Sequence, residues 1–154
     1  PTGLYDTSTG SQLSGSTYKA LQAAPVGTEE ASDIFFKVQG AWTRRDLSTV
    51  ASMLGDDIRK ELTADADDLR QQKQINRIEN ITVRKTDVLD SWSEAGVDYS
   101  TVRFTANLLD YTVEEQSGSV VDGSDSQPVK FEEDWTFART ASVDGWKLVG
   151  IKQI

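Results

Sequence analysis

The spacing of apolar residues changes near Arg77, and this change restricts the chain to folds in which helices precede strands. Upstream, apolar residues recur at helical spacing in three segments, which begin near Thr28, after Asp46 and at Asp56. Downstream, apolar and polar residues alternate, as in strands that bury one face. This order is typical of the α+β class. We predict three N-terminal helices packed on a curved four-stranded antiparallel sheet, a cone-shaped roll with room for an apolar pocket.

Turn-forming residues divide the second half of the chain into four predicted strands. These run from about Arg77 to Trp92, from Tyr99 to Val113, from Val129 to Phe137 and from Trp146 to Ile154. Between the second and third strands, residues 116–119 and 122–125 are built from Gly, Ser, Asp and Gln. Gly, Ser and Asp favour turns, so we expect a hairpin with a long polar tip at this point.

The chain contains neither cysteine nor histidine, which excludes several kinds of chemistry. Disulfides, thiolate or imidazole metal sites and nucleophiles activated by histidine are all ruled out. The acidic stretches 65–68 and 122–125 offer carboxylates, but neither has the spacing of a calcium-binding loop. We therefore expect no metal ion and no cofactor.

The composition is acidic, with 16 Lys and Arg against 25 Asp and Glu and a formal net charge of −9. Nucleic-acid affinity comes mostly from basic side chains on phosphates, so DNA and RNA are excluded as expected partners. The basic residues near the junction of helices and sheet could still form a local patch. Such a patch would contact a protein partner or anionic lipid headgroups through Arg44, Arg45, Arg70 and Arg77.

The aromatic residues of both halves supply the walls of the predicted pocket, together with one acidic residue. The pocket residues are Phe35, Trp42, Phe104, Glu133, Trp135 and Phe137. In apolar surroundings the pKa of Glu133 would rise and suit acid–base work with Asp110 as partner. Alternatively, Glu133 lies where its strand leaves the core, or pairs with an arginine such as Arg103. We favour these structural alternatives and predict no catalytic residue.

Residues 1–27 form a Ser-, Thr- and Gly-rich segment that is typical of a linker or a docking segment, ahead of a domain over 28–154. No apolar run approaches the roughly 18 residues needed to cross a bilayer. The chain begins Pro1-Thr2-Gly3, which is unlike a signal peptide. We expect any membrane anchor to lie upstream of this sequence.

Five stretches, in this order, resemble the bacterial branch of the Tim44-like domain family. They are GAWTRRDL at 40–47, DADDLR at 65–70, INRIENI at 75–81, TVRFTANLLDYTV at 101–113 and VKFEEDWTF at 129–137. The resemblance covers about residues 30–153. It implies a roll of the nuclear-transport-factor-two-like superfamily, which agrees with the order of helices and strands.

The resemblance also implies a function. The mitochondrial relatives are non-enzymatic adaptors of the inner membrane that bind the translocon, a seventy-kilodalton heat-shock chaperone and anionic lipid. Their membrane contact is attributed to amphipathic helices ahead of the roll, whereas residues 1–27 here contain Lys19 as their one basic residue. Bacterial relatives carry an upstream transmembrane anchor instead. Such an anchor would place the domain at the bacterial inner membrane, and we expect it on the cytoplasmic side. We also expect a monomer or a weak homodimer.

Two other functions remain open. The cavity that this superfamily often keeps could bind a small molecule or an acyl chain. Isomerases share the wider fold, and some work without histidine, although a fold alone is weak evidence for an activity. We therefore expect a protein-binding adaptor first, a small-molecule or lipid carrier second and an enzyme last.

Overall fold

The computed structural model describes residues 23–140 and 145–154, so most of the predicted linker lies outside the described residues. The first described element is helix α1, Thr28–Thr43, which buries one apolar stripe on the sheet. A 3-10 helix follows at Leu47–Met53, and Asp46 caps it by accepting the backbone N–H of Ser48 at 3.1 Å. Helix α2, Asp56–Gln71, completes the three predicted helices.

The sheet has five antiparallel strands, one more than the sequence predicts. They are β1, Gln74–Glu94; β2, Val97–Glu114; β3, Val120–Gly123; β4, Val129–Thr140; and β5, Lys147–Gln153. The order is β1-β2-β4-β5, and β3 also pairs with β2, in line with β4. The additional strand is β3, whose four residues are all exposed and give no alternating pattern. The α+β class with three helices on a curved, open sheet is confirmed.

The sheet is curved because its long edge strand is irregular. The register between β1 and β2 shifts at three places along β1, and such bulges bend a strand and increase its twist. Helix α1 lies against the concave face, where Phe35 stacks on Phe104 with ring centroids 4.5 Å apart. The convex face is mostly polar, and Arg103 there donates to both carboxylate oxygens of Asp134, at 2.7 and 3.1 Å. One face of the sheet therefore forms the core and the other faces solvent.

Candidate functional site

The open end of the concave face holds two adjoining cavities that share Asp110, and we call this pair the mouth. The first, of about 380 Å³, lies between α2 and the near ends of β1, β2 and β3. Its lining includes Trp42, Asp65, Leu69, Asn76, Asp110 and Asp122. The second, of about 300 Å³, follows β4 to the C-terminus, and its lining includes Leu108, Asp110, Val129, Phe131, Glu133 and Ile154.

A chain of hydrogen bonds links helix α1 to the sheet at the floor of the mouth. The indole Nε1 of Trp42 donates to Oδ1 of Asn76 at 2.8 Å, and Nδ2 of Asn76 donates to Oδ1 of Asp110 at 2.9 Å. Asn76 is buried and also contacts the hydroxyl of Thr112 at 3.2 Å. These bonds fix the orientation of the amide and hold the carboxylate of Asp110 in place before any ligand arrives.

The rim of the mouth carries apolar side chains that the fold leaves uncovered. Val129 and Ile154 are 46% and 52% exposed, and both line the same cavity as the buried Phe131. Large apolar side chains are normally exposed singly, so two at one cavity form a small patch. The mouth therefore combines an apolar rim with an anchored carboxylate, which suits the binding of another molecule.

Of the six predicted pocket residues, two reach the mouth. Trp42 lines the first cavity and Glu133 the inner end of the second, where its Oε1 accepts the indole N–H of Trp135 at 3.0 Å. The other four pack in the core with no exposed surface; they are Phe35, Phe104, Trp135 and Phe137. The suggested pairing of Glu133 with Arg103 is wrong, because Arg103 binds Asp134 on the convex face. Sequence reasoning missed Asn76 as a residue of the mouth. The one indication was that a polar residue stands at an inward-facing position of the strand.

The four predicted arginine contacts do not form one surface. Arg45 and Arg70 line a notch of about 330 Å³ between the 3-10 helix and α2, where Nε of Arg70 donates to the backbone oxygen of Arg45 at 2.9 Å. Arg44 is exposed beside them and donates to the hydroxyl of Thr49 at 3.2 Å. Arg77 pairs in register with Tyr111 on the convex face.

The convex face near Arg77 is organised around a tyrosine. The hydroxyl of Tyr111 donates to Glu79 at 2.6 Å, and this hydrogen bond, with burial, raises the pKa of Tyr111 above its usual value. Glu79 also lies 3.8 Å from Arg77. Arg77 therefore has an acidic neighbour on its own strand, whereas Arg44 and Arg70 are the two exposed residues among the four predicted contacts.

The described residues contain neither a metal-binding group of three or more acidic side chains nor a helix of the length and apolarity that a bilayer crossing requires. This finding concerns residues 23–140 and 145–154 and no others. The side chains that line the mouth offer hydrogen-bonding groups, carboxylates and apolar contact.

Comparison with known proteins gives one family and one fold. The crystal structure of the intermembrane space region of chloroplast protein ARC6 superposes with a TM-score of 0.54 at 12% sequence identity, over 85% of this chain and 98% of that chain. At this identity the likeness shows the fold alone. Comparison with curated proteins gives no significant match. The family model described as Tim44-like domain matches residues 28–153, so the chain belongs to the Tim44-like domain family.

Proposed function

We propose that this domain is a non-enzymatic, membrane-associated adaptor that binds a protein partner at the mouth. The observation that carries the proposal is the exposed apolar rim, Val129 and Ile154, beside the anchored carboxylate of Asp110. A partner segment would place an apolar side chain against the rim and a hydrogen-bond donor on Asp110. Family membership supports protein binding as the general function.

The adaptor acts by recruitment in this proposal. Holding a partner near the membrane raises its effective concentration there, and no bond has to be made or broken. The attachment itself belongs to the proposal as well: we place the domain at a bacterial inner membrane, on the cytoplasmic side, through an anchor outside the domain. The resemblance to membrane-tethered members of the family supports this placement.

The test is site-specific photo-crosslinking in cells that express the protein. A photoreactive residue at Val129 or Ile154 is expected to capture a protein of discrete mass. The matched control positions are Val88 and Leu89, which are 39% and 47% exposed on the distal part of β1. The double substitution Val129→Ser with Ile154→Ser should remove the partner in co-precipitation, whereas Val88→Ser with Leu89→Ser should retain it.

Three results would contradict the proposal. Equal capture from rim and control positions would show that the mouth is not the binding surface. Partner binding that survives the rim substitutions would show the same. A small molecule or acyl chain retained in the mouth of the purified protein, detected by native mass spectrometry, would favour the carrier function instead.

A further inference from the structure

The pairing of β2 is broken on both sides at the same level of the sheet. On one side Glu79 pairs with Leu109 and Thr82 with Asn107, so β1 carries one extra residue, and Asn80 adopts the left-handed conformation with φ of 51°. On the other side Leu108 pairs with Val129 and Tyr111 with Gly123, so residues 124–128 leave the sheet. Bulges such as the one in β1 are over-represented at sheet edges and next to active sites.

A cavity of about 570 Å³ lies on the convex face between these two irregularities, within the size range of small-molecule sites. We call it the convex-face cavity. It is lined by Asn80, Thr82, Arg84, Asn107, Leu108, Leu109, Asp125, Ser126 and Pro128. Its loop wall is braced from within, because Oγ of Ser124 accepts the backbone N–H groups of Ser126 and Gln127 at 3.1 and 3.0 Å. These two hydrogen bonds fix the backbone of residues 124–127 on the loop side of the cavity.

The convex-face cavity contains one cationic and one anionic side chain that do not neutralise each other. Nε of Arg84 donates to Oδ1 of Asn107 at 2.7 Å, which orients the guanidinium and leaves its two terminal nitrogens for a ligand. Neither Arg84 nor Asp125 takes part in any ion pair within 4.0 Å among the described residues. Two opposite charges thus line one cavity with a gap between them.

We propose that the convex-face cavity binds a small zwitterion, an aliphatic α-amino acid, that bridges this gap. The planar fork of Arg84 matches a carboxylate, and the carboxylate of Asp125 matches an ammonium group. Asn80 and Ser126 supply neutral hydrogen-bonding groups, while Leu109 and Pro128 offer apolar contact to a side chain. No aromatic side chain belongs to the described lining, so the stacking surface that a sugar or nucleobase uses is missing.

The experiment titrates the protein with L-leucine, with isocaproate, which lacks the ammonium group, and with isoamylamine, which lacks the carboxylate. Two-dimensional NMR follows the amide signals of Asn80, Asn107 and Ser126. Leucine should shift these signals, and each partial ligand should bind at least about tenfold more weakly, because one charge-assisted contact is absent. Arg84→Gln should lower the affinity for leucine to that for isoamylamine, and Asp125→Asn should lower it to that for isocaproate.

The controls remove one positive and one negative charge outside the lining of the convex-face cavity. Lys85→Gln and Asp67→Asn, both at exposed positions, should leave the affinity for leucine unchanged. Equal thermal stability of all four variants shows that folding is preserved. The proposal is overturned if leucine does not shift the cavity signals, if the partial ligands bind as tightly as leucine, or if the four variants bind leucine equally.

Discussion

At the scale of single residues, the end of helix α1 depends on an arginine in a conformation that favours glycine. Arg45 has a φ of 55°; its N–H bonds to the carbonyl oxygen of Trp42 at 2.9 Å, and the N–H of Asp46 bonds to that of Ala41 at 3.1 Å. This is the Schellman arrangement, in which glycine is the usual residue. Arg45 compensates through its side chain, which donates to Glu115 at 2.8 Å and to the backbone oxygen of Gln74 at 3.0 Å.

Two variants distinguish the effect of the backbone conformation of Arg45 on the free energy of unfolding from the effect of its side chain. Arg45→Gly and Arg45→Ala lose the same contacts, but only alanine keeps a Cβ in the left-handed conformation. We expect Arg45→Ala to be less stable than Arg45→Gly by about 1 kcal/mol, and both to be less stable than the wild type. Urea unfolding measures the difference. If the two variants were equally stable, the backbone conformation of Arg45 would carry no cost.

At the scale of elements, strand β3 pairs with β2 because Gly123 has no side chain. Gly123 has a φ of 76°, and a Cβ there would lie 2.9 Å from Cα of Tyr111 and closer still to the backbone oxygen of Asp110. The strand is short and exposed, so few other contacts hold it. Its pairing brings Asp122 opposite Thr112 and thereby places Asp122 at the mouth.

Gly123→Ala should therefore detach β3 from the sheet. Gly118→Ala is the matched control, since Gly118 has a similar φ of 73° but a Cβ added there would meet nothing within 4 Å. We expect a loss of about 1 kcal/mol for Gly118→Ala from the backbone alone and at least about 2 kcal/mol for Gly123→Ala, because a close contact is added. Hydrogen exchange at Thr112 and at Glu114, whose N–H donates to the carbonyl oxygen of Ser119 at 2.9 Å, should accelerate in Gly123→Ala alone. Similar exchange in both variants would contradict this account.

The helices and strands that were predicted correctly are those in which apolar residues recur with the period of the buried face. Ile58, Leu62 and Ala66 lie at helical spacing in α2 and are all buried, and Val102, Phe104 and Ala106 alternate along β2. Strand β3 was not predicted, because its pairing depends on backbone groups and on a missing side chain rather than on a buried face. The mouth was predicted only in part, since Trp42 and Glu133 are inward-facing by pattern, whereas the bond between Trp42 and Asn76 joins residues 34 positions apart.

At the scale of the whole molecule, the net negative charge disfavours binding to anionic lipid. Several arginines are also paired with acidic residues of the same chain. The formal net charge is −9, and ion pairs with the same chain hold Arg45, Arg103 and Arg139. Anionic membranes repel a surface of this sign unless basic residues cluster on one side. The notch at Arg45 and Arg70 also contains Asp46 and Asp67, so its charge is mixed.

We accordingly expect this domain alone not to float with vesicles of anionic or neutral phospholipid, at low or high salt. Arg44→Glu tests whether a basic side chain binds the headgroups, because Arg44 is exposed. Unlike Arg45, Arg44 does not adopt the left-handed conformation that ends helix α1. Flotation with anionic vesicles that high salt and Arg44→Glu both abolish would show direct headgroup binding and would contradict the prediction.

Strand β2 separates the mouth from the convex-face cavity, and residues 108–110 of this single strand together line both. Leu108 lines both the mouth and the convex-face cavity, while Asp110 lines the mouth and Leu109 the convex-face cavity. A displacement of this three-residue segment toward one face withdraws it from the other. Any ligand that moves it would change affinity on the opposite side, and by thermodynamic linkage the occupant of that side would return an effect of equal size. A small bend of β2 at residues 108–110 would then couple ligand binding on one face of the sheet to ligand binding on the other.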